Sequence, residues 1–138
     1  MNGIKFLLDT NIVIGLLKQG VSIFPDSNIN IAACAMSQIT RMELLSFSCL
    51  TIEEETAIKR FIEHVSVIHI NEAIEVTTIN FRRTHGGKLP DAIIIATALE
   101  HNLELVTLDN KMKTAYLLAR NLADLESLSY FPIESGDQ

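Results

Sequence analysis

The stretch from Pro90 to Leu99 reads PDAIIIATAL, and it determines what kind of fold the chain can adopt. After its first two residues it is apolar almost all round, which is the composition of a helix buried on every side. Pro90 suits the first position of such a helix, because its φ is fixed at a helical value and its missing N–H donor is not needed there. A helix covered in this way carries Asp91 inside the protein instead of into bulk water.

On both sides of this helix, short apolar runs bounded by polar turns alternate with segments of helical period. This alternation is typical of an α/β domain with a largely parallel sheet. We predict strands at Ile4 to Leu8, Ile31 to Met36, Ser66 to Ile70 and Leu103 to Leu108, with an edge strand at Ser127 to Ile133. We predict helices at Asn11 to Lys18, Ser37 to Phe47, Thr51 to Val65, Asn71 to Thr84, Pro90 to His101 and from Asn110 onward.

The length and charge of the chain limit its possible functions. The 138 residues are enough for one domain with its core, and we treat residues 1–138 as a single domain. A net charge of -6 argues against a protein that holds nucleic acid by bulk electrostatics, because neutralising phosphates requires Lys and Arg. That argument weakens if several acids surround metal ions, since bound cations dominate the local charge.

We expect a cytoplasmic protein that does not cross a membrane. No apolar stretch reaches the ~18 residues of a membrane span, and the N-terminus lacks the pattern of a signal peptide. Cys34 and Cys49 lie in apolar surroundings, without the spacing of a CxxC motif or a metal knuckle. We therefore expect two buried thiols in a reducing cytosol.

Four acids fall where predicted strands end or helices begin. Asp9 and Asp109 directly follow strands, while Glu43 and Asp91 lie early in helices. In a parallel sheet these junctions share one edge, so residues far apart in sequence can converge there. Carboxylates within ~5 Å of one another repel unless a cation compensates. Oxygen ligands without a Cys/His cluster favour Mg²⁺ or Mn²⁺.

Each of these acids also has a purely structural interpretation, because an acid near a helix N-terminus caps free amides and meets the helix dipole favourably. Asp9 and Asp109 precede helices, and Asp91 lies in a first turn. Glu43 follows Thr40 by three residues, which is the spacing of a capping box. For a single acid, position alone favours the cap, and it is the combination with a buried helix that favours a metal site.

Four segments of the chain resemble the PIN-domain ribonucleases, and most of all the VapC-type toxins of bacterial toxin–antitoxin pairs. Their order and spacing are more specific than any one of them, and together they extend over nearly the whole chain. The segments are Leu7 to Ile12, Ser37 to Leu45, Pro90 to Leu99 and Leu105 to Asp109. The resemblance implies a PIN-like three-layer α/β fold, with a mainly parallel central sheet of four or five strands flanked by helices.

The resemblance also implies a function. It suggests an endoribonuclease that uses Mg²⁺ or Mn²⁺ to hydrolyse RNA phosphodiester bonds, a cognate antitoxin as partner, and a homodimer. It places the acidic metal ligands on Asp9, Glu43, Asp91 and Asp109, with Asn11 and Thr107 as supporting polar groups. One departure is Met112, because relatives often carry an aromatic residue soon after the last acid, and this leaves the local packing in question.

Basic residues near the acids are candidates for contact with RNA phosphates. The segment from Arg82 to Lys88 leads directly into Pro90 and Asp91, so it can lie beside the site. An exposed helix end and loop would have the same composition. The substrate-binding candidates are Arg41, Arg82, Arg83, Lys88, Lys111 and Lys113, with His85 a weaker one.

Two other functions remain open at this point. Asp9 and Thr10 after an apolar strand are similar to the nucleophile motif of haloacid dehalogenase-type phosphatases, although that family has a second Asp where this chain has Asn11. A phosphatase would form an acyl-phosphate on Asp9. The other alternative is a non-catalytic module that binds a metal or a partner and uses the acids as independent caps, so that Asn substitutions would lower stability without affecting RNA cleavage.

Overall fold

The computed structural model describes residues 3–129, with side chains up to Asp124. The strands are Phe6–Leu8 (β1), Cys34–Ser37 (β2), Ser66–Ile68 (β3) and Glu104–Val106 (β4). The α-helices are Thr10–Gln19 (α1), Gln38–Leu45 (α2), Ile52–His64 (α3), Glu72–His85 (α4), Leu89–Glu100 (α5) and Asn110–Ser129 (α6). Short 3₁₀ helices lie at Gly20–Ile23 and Ile31–Ala33. The predicted alternation of strands and helices is confirmed.

The four strands form one parallel sheet in the order β3-β2-β1-β4. The chain moves outward from β1 through β2 to β3, and then crosses back to place β4 on the other side of β1. Leu8 at the end of β1 pairs with Val106 at the end of β4. In an open α/β sheet, such a reversal leaves a crevice at the carboxyl ends of the two strands, which is where ligands bind.

Both faces of the sheet are covered, because successive side chains of a strand point to opposite faces. Leu7 and Leu105 belong to the core that α4, α5 and α6 cover, whereas Leu8 and Val106 belong to the core beneath α1 and α3. Helix α5 is buried as predicted, with six of its residues inside: Ala92, Ile94, Ile95, Ala96, Thr97 and Ala98. The result is a three-layer α/β fold.

Several helix starts follow from local sequence. The capping box at Thr51 and Glu54 is present, with both of its hydrogen bonds at 2.9 and 3.0 Å. Asn71 caps α4 through its side chain. Helix α5 begins one residue before Pro90, so the proline occupies the second helical position, where its missing donor is equally harmless.

Three local expectations need correction or gain an explanation. The predicted edge strand is wrong at Ser127 to Ser129, which are the last residues of α6, and residues 130–133 lie outside the described part. Cys34 is buried, and burial raises its pKa to about 11, but Cys49 is exposed instead of buried. Met112, which stands where relatives often carry an aromatic residue, is buried in the core with Tyr116.

None of the helices within residues 3–129 has both the length and the apolar character needed to cross a bilayer.

Tyr116 offers a test of how α6 is attached to the sheet. Its buried hydroxyl donates a 2.7 Å hydrogen bond to the carbonyl of Leu103, just before β4. Tyr116→Phe should lower the free energy of unfolding by about 1–3 kcal/mol, because a buried carbonyl loses its donor. Urea unfolding measures this change. As a control, Thr114→Val removes an exposed hydroxyl of the same helix and should cost less than about 0.5 kcal/mol. Equal costs for the two variants would contradict the prediction.

Candidate active site

Asp9 is a buried carboxylate at the end of the central strand, with only 5% of its surface exposed. Its Oδ1 accepts a hydrogen bond from the amide of Thr10 at 2.7 Å, and its Oδ2 accepts one from the hydroxyl of Thr107, also at 2.7 Å. Burial raises the pKa of Asp9, and the charges of Asp91 and Glu43 raise it further, while the two hydrogen bonds act in the opposite direction. The fold thus holds a carboxylate where ionisation is unfavourable.

Thr107 and Asn11 connect Asp9 to the junction between β4 and α6. The oxygen of Thr107 accepts hydrogen bonds from the amide of Asp109 at 3.0 Å and from Nδ2 of Asn11 at 3.4 Å. Oδ1 of Asn11 accepts from the amide of Leu108 at 3.1 Å. The two residues that the sequence analysis named as supporting groups therefore contact each other and join the carboxyl ends of β1 and β4.

Glu43 reaches this edge from the second turn of α2, later in its helix than expected. Its Oε1 accepts a 2.6 Å hydrogen bond from the hydroxyl of Thr10. The Thr10 oxygen also lies 3.2 Å from that of Thr40, which is fully buried. The N-cap of α2 is Ser37, so the capping-box interpretation of Thr40 and Glu43 is wrong.

Asp91 and Asp109 complete the set of acids. Asp91 lies half-buried in the first turn of α5; burial raises its pKa, the charge of Asp109 raises it further, and Lys88 partly offsets the shift. Asp109 is exposed, and its Oδ1 accepts hydrogen bonds from the amides of Lys111 at 2.9 Å and Met112 at 3.2 Å. Asp9 and Asp109 therefore do act as helix caps, but in each residue only Oδ1 makes the capping hydrogen bonds.

The charges of the four acids interact as a row, in the order Glu43, Asp9, Asp91, Asp109, so that Asp9 and Asp91 each interact with two others. Among the residues with described side chains, the one ion pair joins Lys59 to Glu55, so none of the four acids is in an ion pair there, although the charge of Lys88 partly offsets that of Asp91. Nor do any three His, Cys, Asp or Glu side chains in that region stand close enough together to hold a metal ion. The edge thus gathers hard oxygen donors with unbalanced negative charge, but not a finished coordination shell.

This donor set fits Mg²⁺ or Mn²⁺ in its chemistry. Both ions prefer carboxylate and other oxygen ligands, and Mg²⁺ is usually held by only one or two carboxylates together with water and substrate phosphate. Of the four acids, Glu43 and Asp91 are half-buried and Asp109 is exposed, so solvent reaches three of them, whereas Asp9 is buried. The metal-ligand assignment of the four acids stays a prediction.

The basic candidates divide into two groups in space. Lys88 is close enough to lower the pKa of Asp91, and Lys111 and Lys113 are exposed in the first turn of α6, next to Asp109. Arg41 is half-buried in α2. Arg83 instead lines a groove of about 640 Å³ between α4, α5 and α6, which contains none of the four acids.

The remaining basic candidates contact their own segment. Nε of Arg82 donates to the carbonyl of Gly87 at 3.3 Å, which fixes the turn before α5. The His85 ring lies 4.8 Å from that of Phe81, centroid to centroid, and also lines the groove with Arg83. Lys88 is therefore the member of this segment whose charge acts on one of the four acids, Asp91.

The sequence analysis did not identify Thr10 and Thr40 as members of the site. Thr10 directly follows Asp9, and Thr40 precedes Glu43 by three residues, so both stand beside acids in the sequence. The three-residue spacing between Thr40 and Glu43 predicted a capping box instead of a shared site. Only the packing of α1 against α2 brings the two hydroxyls together.

Comparisons with known proteins point to one family. A family model described as PIN domain matches residues 6–118. A chain in a toxin–antitoxin complex from Klebsiella pneumoniae is 33% identical, with a TM-score of 0.62 over 78% of this chain and 88% of that chain. A search of curated proteins found no match.

Two further solved structures are similar. A chain of VapBC-1 from nontypeable Haemophilus influenzae is 28% identical, with a TM-score of 0.65 over 84% of this chain and 94% of that chain. A chain of DNA-bound VapBC from Salmonella typhimurium is 25% identical, with a TM-score of 0.58 over 72% of this chain and 83% of that chain.

Asp91→Asn tests whether the acids repel one another. Folding raises the pKa of Asp91 above its ordinary value of 3.8. At pH values above 3.8, ionisation of this carboxyl group therefore opposes folding. Well below pH 3.8 it has no such effect, because the group is protonated in both the folded and the unfolded protein. In excess chelator the variant should therefore melt at a higher temperature than the native protein at pH 7, but not at pH 3.

The control is Asp124→Asn, which removes an exposed acid of α6 outside the carboxyl edge. Thermal unfolding at the two pH values should show no comparable gain for this variant. A lower melting temperature for Asp91→Asn at pH 7 would identify Asp91 as a structural cap.

Proposed function

The chain belongs to the PIN domain family, and from this premise we propose that it is the ribonuclease toxin of a toxin–antitoxin pair. The family is one of nucleases, which are hydrolases. The observation that carries the proposal is the row of four carboxylates, Asp9, Glu43, Asp91 and Asp109, at the crevice between β1 and β4. The proposed reaction is endonucleolytic hydrolysis of RNA phosphodiester bonds with Mg²⁺ or Mn²⁺, carried out by residues 1–138 as one domain.

Each acid has a definable task in this reaction. A bound divalent ion supplies an activated water and stabilises charge on the phosphate. Asp9 would be the fixed ligand of this ion, because Thr107 and the amide of Thr10 each hold one of its oxygens. Glu43, Asp91 and Asp109 would be the further ligands of the ion, contributed by α2, α5 and the start of α6. Thr107 and Asn11 orient Asp9 and keep the β4 end in register with it.

The two alternative functions have less support. In a phosphatase of the haloacid dehalogenase type, position 11 would carry a proton-donating acid, but Asn11 has its amide oxygen and nitrogen engaged with Leu108 and Thr107. A module of independent caps does not explain why Asp91, which receives no hydrogen bond from the described part of the chain, lies half-buried beside other acids.

The proposed partners are an antitoxin and a second copy of the chain. One of the similar structures is described as a toxin–antitoxin complex, and the other two are described as VapBC. This chain also exposes apolar side chains that a partner would cover, on α1 and α2 around a groove of about 450 Å³, and on α4 and α6. We place its action in the cytoplasm, where RNA is present and the two thiols stay reduced.

RNA cleavage should require a divalent ion and the acids at the carboxyl edge. Mg²⁺ or Mn²⁺ should support cleavage of single-stranded RNA, and excess EDTA should stop it, because the acids need a cation to position an attacking water. Asp91→Asn should reduce the cleavage rate by more than about 100-fold. Loss of a residue that only hydrogen-bonds to a metal ligand already lowers activity by about 10–100-fold, and loss of a ligand should have a larger effect.

The matched control is again Asp124→Asn, which should retain the native rate. Cleavage is measured by gel electrophoresis of end-labelled RNA. Full activity in EDTA would contradict the proposed function, and so would an Asp91→Asn variant that cleaves at the native rate.

Lys88 should contact RNA phosphate at the entrance to the site. Lys88→Gln should weaken binding of an uncleavable single-stranded RNA and reduce the slope of log K against log salt by ~0.7, the value for one lost phosphate contact. Arg83→Gln changes a charge in the α4–α5–α6 groove and should leave the slope unchanged. Fluorescence anisotropy at several salt concentrations measures both. Equal slopes for the native protein and Lys88→Gln would move the RNA path toward Arg41, Lys111 and Lys113.

A further inference from the structure

Two threonine hydroxyls stand between the first and second helices, directly behind Glu43. Thr10 is the first residue of α1, and Thr40 lies on α2 one turn before Glu43. The Thr10 oxygen is 2.6 Å from Oε1 of Glu43 and 3.2 Å from the Thr40 oxygen. Thr40 is fully buried, with 0% of its surface exposed. This arrangement joins residues that are 33 positions apart in the sequence.

The geometry determines which hydroxyl donates to which group. A threonine hydroxyl has one proton, so Thr10 can donate to only one of its two neighbours. The contact to Glu43 is the shorter one and has the length of a hydrogen bond from a hydroxyl to a carboxylate. Thr10 therefore donates to Glu43, and the hydroxyl of Thr40 donates to the oxygen of Thr10. Each bond in such a chain polarises and strengthens the next.

The bond to Thr10 limits the freedom of Glu43. A glutamate side chain on a helix has three rotatable bonds, and no ion pair within the described part of the chain holds this one. Thr10 directly follows Asp9, so a carboxylate held by Thr10 stays next to the buried ligand at the end of β1. Within the described part of the chain only Oε1 receives a hydrogen bond, which leaves Oε2 available to bind a cation.

We propose that Thr10 is a positioning residue for Glu43, with Thr40 as the donor that orients it. The inference rests on the proposed function, because Glu43 has to be a ligand of the divalent ion. The hydroxyl pair holds one carboxylate oxygen in place before the ion arrives, so that less side-chain freedom is lost on binding. This is the way in which outer hydrogen bonds raise the affinity of a metal site.

Mn²⁺ affinity in the absence of RNA tests this proposal directly. Thr10→Val keeps the shape of the side chain and removes the hydroxyl, and it should weaken Mn²⁺ binding by about 10–100-fold. Thr10→Ser keeps the hydroxyl and should bind within about 3-fold of the native protein. Thr40→Val should weaken binding in the same direction. Thr56→Val, which removes an exposed hydroxyl on α3, is the matched control and should have no effect. Titration followed by electron paramagnetic resonance gives each affinity.

A double-mutant cycle with Glu43→Gln separates positioning from a general effect on the fold. If Thr10 acts through Glu43, adding Thr10→Val to Glu43→Gln should cause no further loss of Mn²⁺ affinity. In RNA cleavage, Thr10→Val should lower kcat and leave KM unchanged. Because Thr40→Val probes the same hydrogen-bond chain from its other end, the test does not depend on a single variant that folds.

The failures of the two hypotheses are distinguishable. Native protein that neither binds Mn²⁺ nor cleaves RNA would overturn the proposed function. Native protein that does both, with unchanged or tighter Mn²⁺ binding in Thr10→Val, would overturn the positioning role. Losses from Thr10→Val and Glu43→Gln that multiply in the double variant would also overturn it, because independent effects would mean that the hydroxyl does not act through Glu43.

Discussion

The hydrogen bond from Thr107 to the buried carboxylate of Asp9 is the interaction on which the carboxyl edge of this protein depends. Burying a carboxylate to 5% exposure is unfavourable because the group loses its hydration. Hydrogen bonds from the Thr107 hydroxyl and the Thr10 amide offset part of this desolvation penalty. Thr107 also accepts from Asn11 and from the amide of Asp109. The hydrogen bonds that support one buried charge therefore also align the ends of two adjacent strands.

The placement of this carboxylate follows from the order of the strands. β1 lies between β2 and β4, and the order in which strands are added to the sheet reverses at β1. Because all three strands are parallel, the junctions that follow β1 and β4 lie at the same edge of the sheet. Helix α5, which is buried along most of its length, places Asp91 close enough to Asp9 and Asp109 for their charges to interact. The resulting repulsion among the acids opposes folding, and such conflicts between local charge and stability are common at functional sites.

Threonine side chains perform related tasks on the two sides of Asp9. Thr107 donates to Asp9 from the β4 side, and Thr10 donates to Glu43 from the α1 side. A hydroxyl suits this purpose because it donates to a carboxylate without adding a positive charge, which would compete with a cation at the same edge. A lysine or arginine in these positions would instead neutralise the negative charge of the acids.

The amino-acid sequence by itself determined the elements of the fold and the acids at their ends. Apolar runs predicted the four strands to within a few residues, and the composition of Pro90 to Leu99 correctly predicted a buried helix, because periodicity and burial are local properties of the chain. Local patterns failed at Ser127 to Ser129 and at Cys49, since a short apolar run does not distinguish a strand from a helix end or a buried segment from an exposed one. Tertiary structure alone decided that Thr10 contacts Glu43 and that Arg83 lies away from the acids. Contacts of this kind depend on how the elements pack. The packing of α1 on α2 joins Thr10 to Glu43, 33 positions apart, and the order of the strands joins Asp9 to Thr107, 98 positions apart.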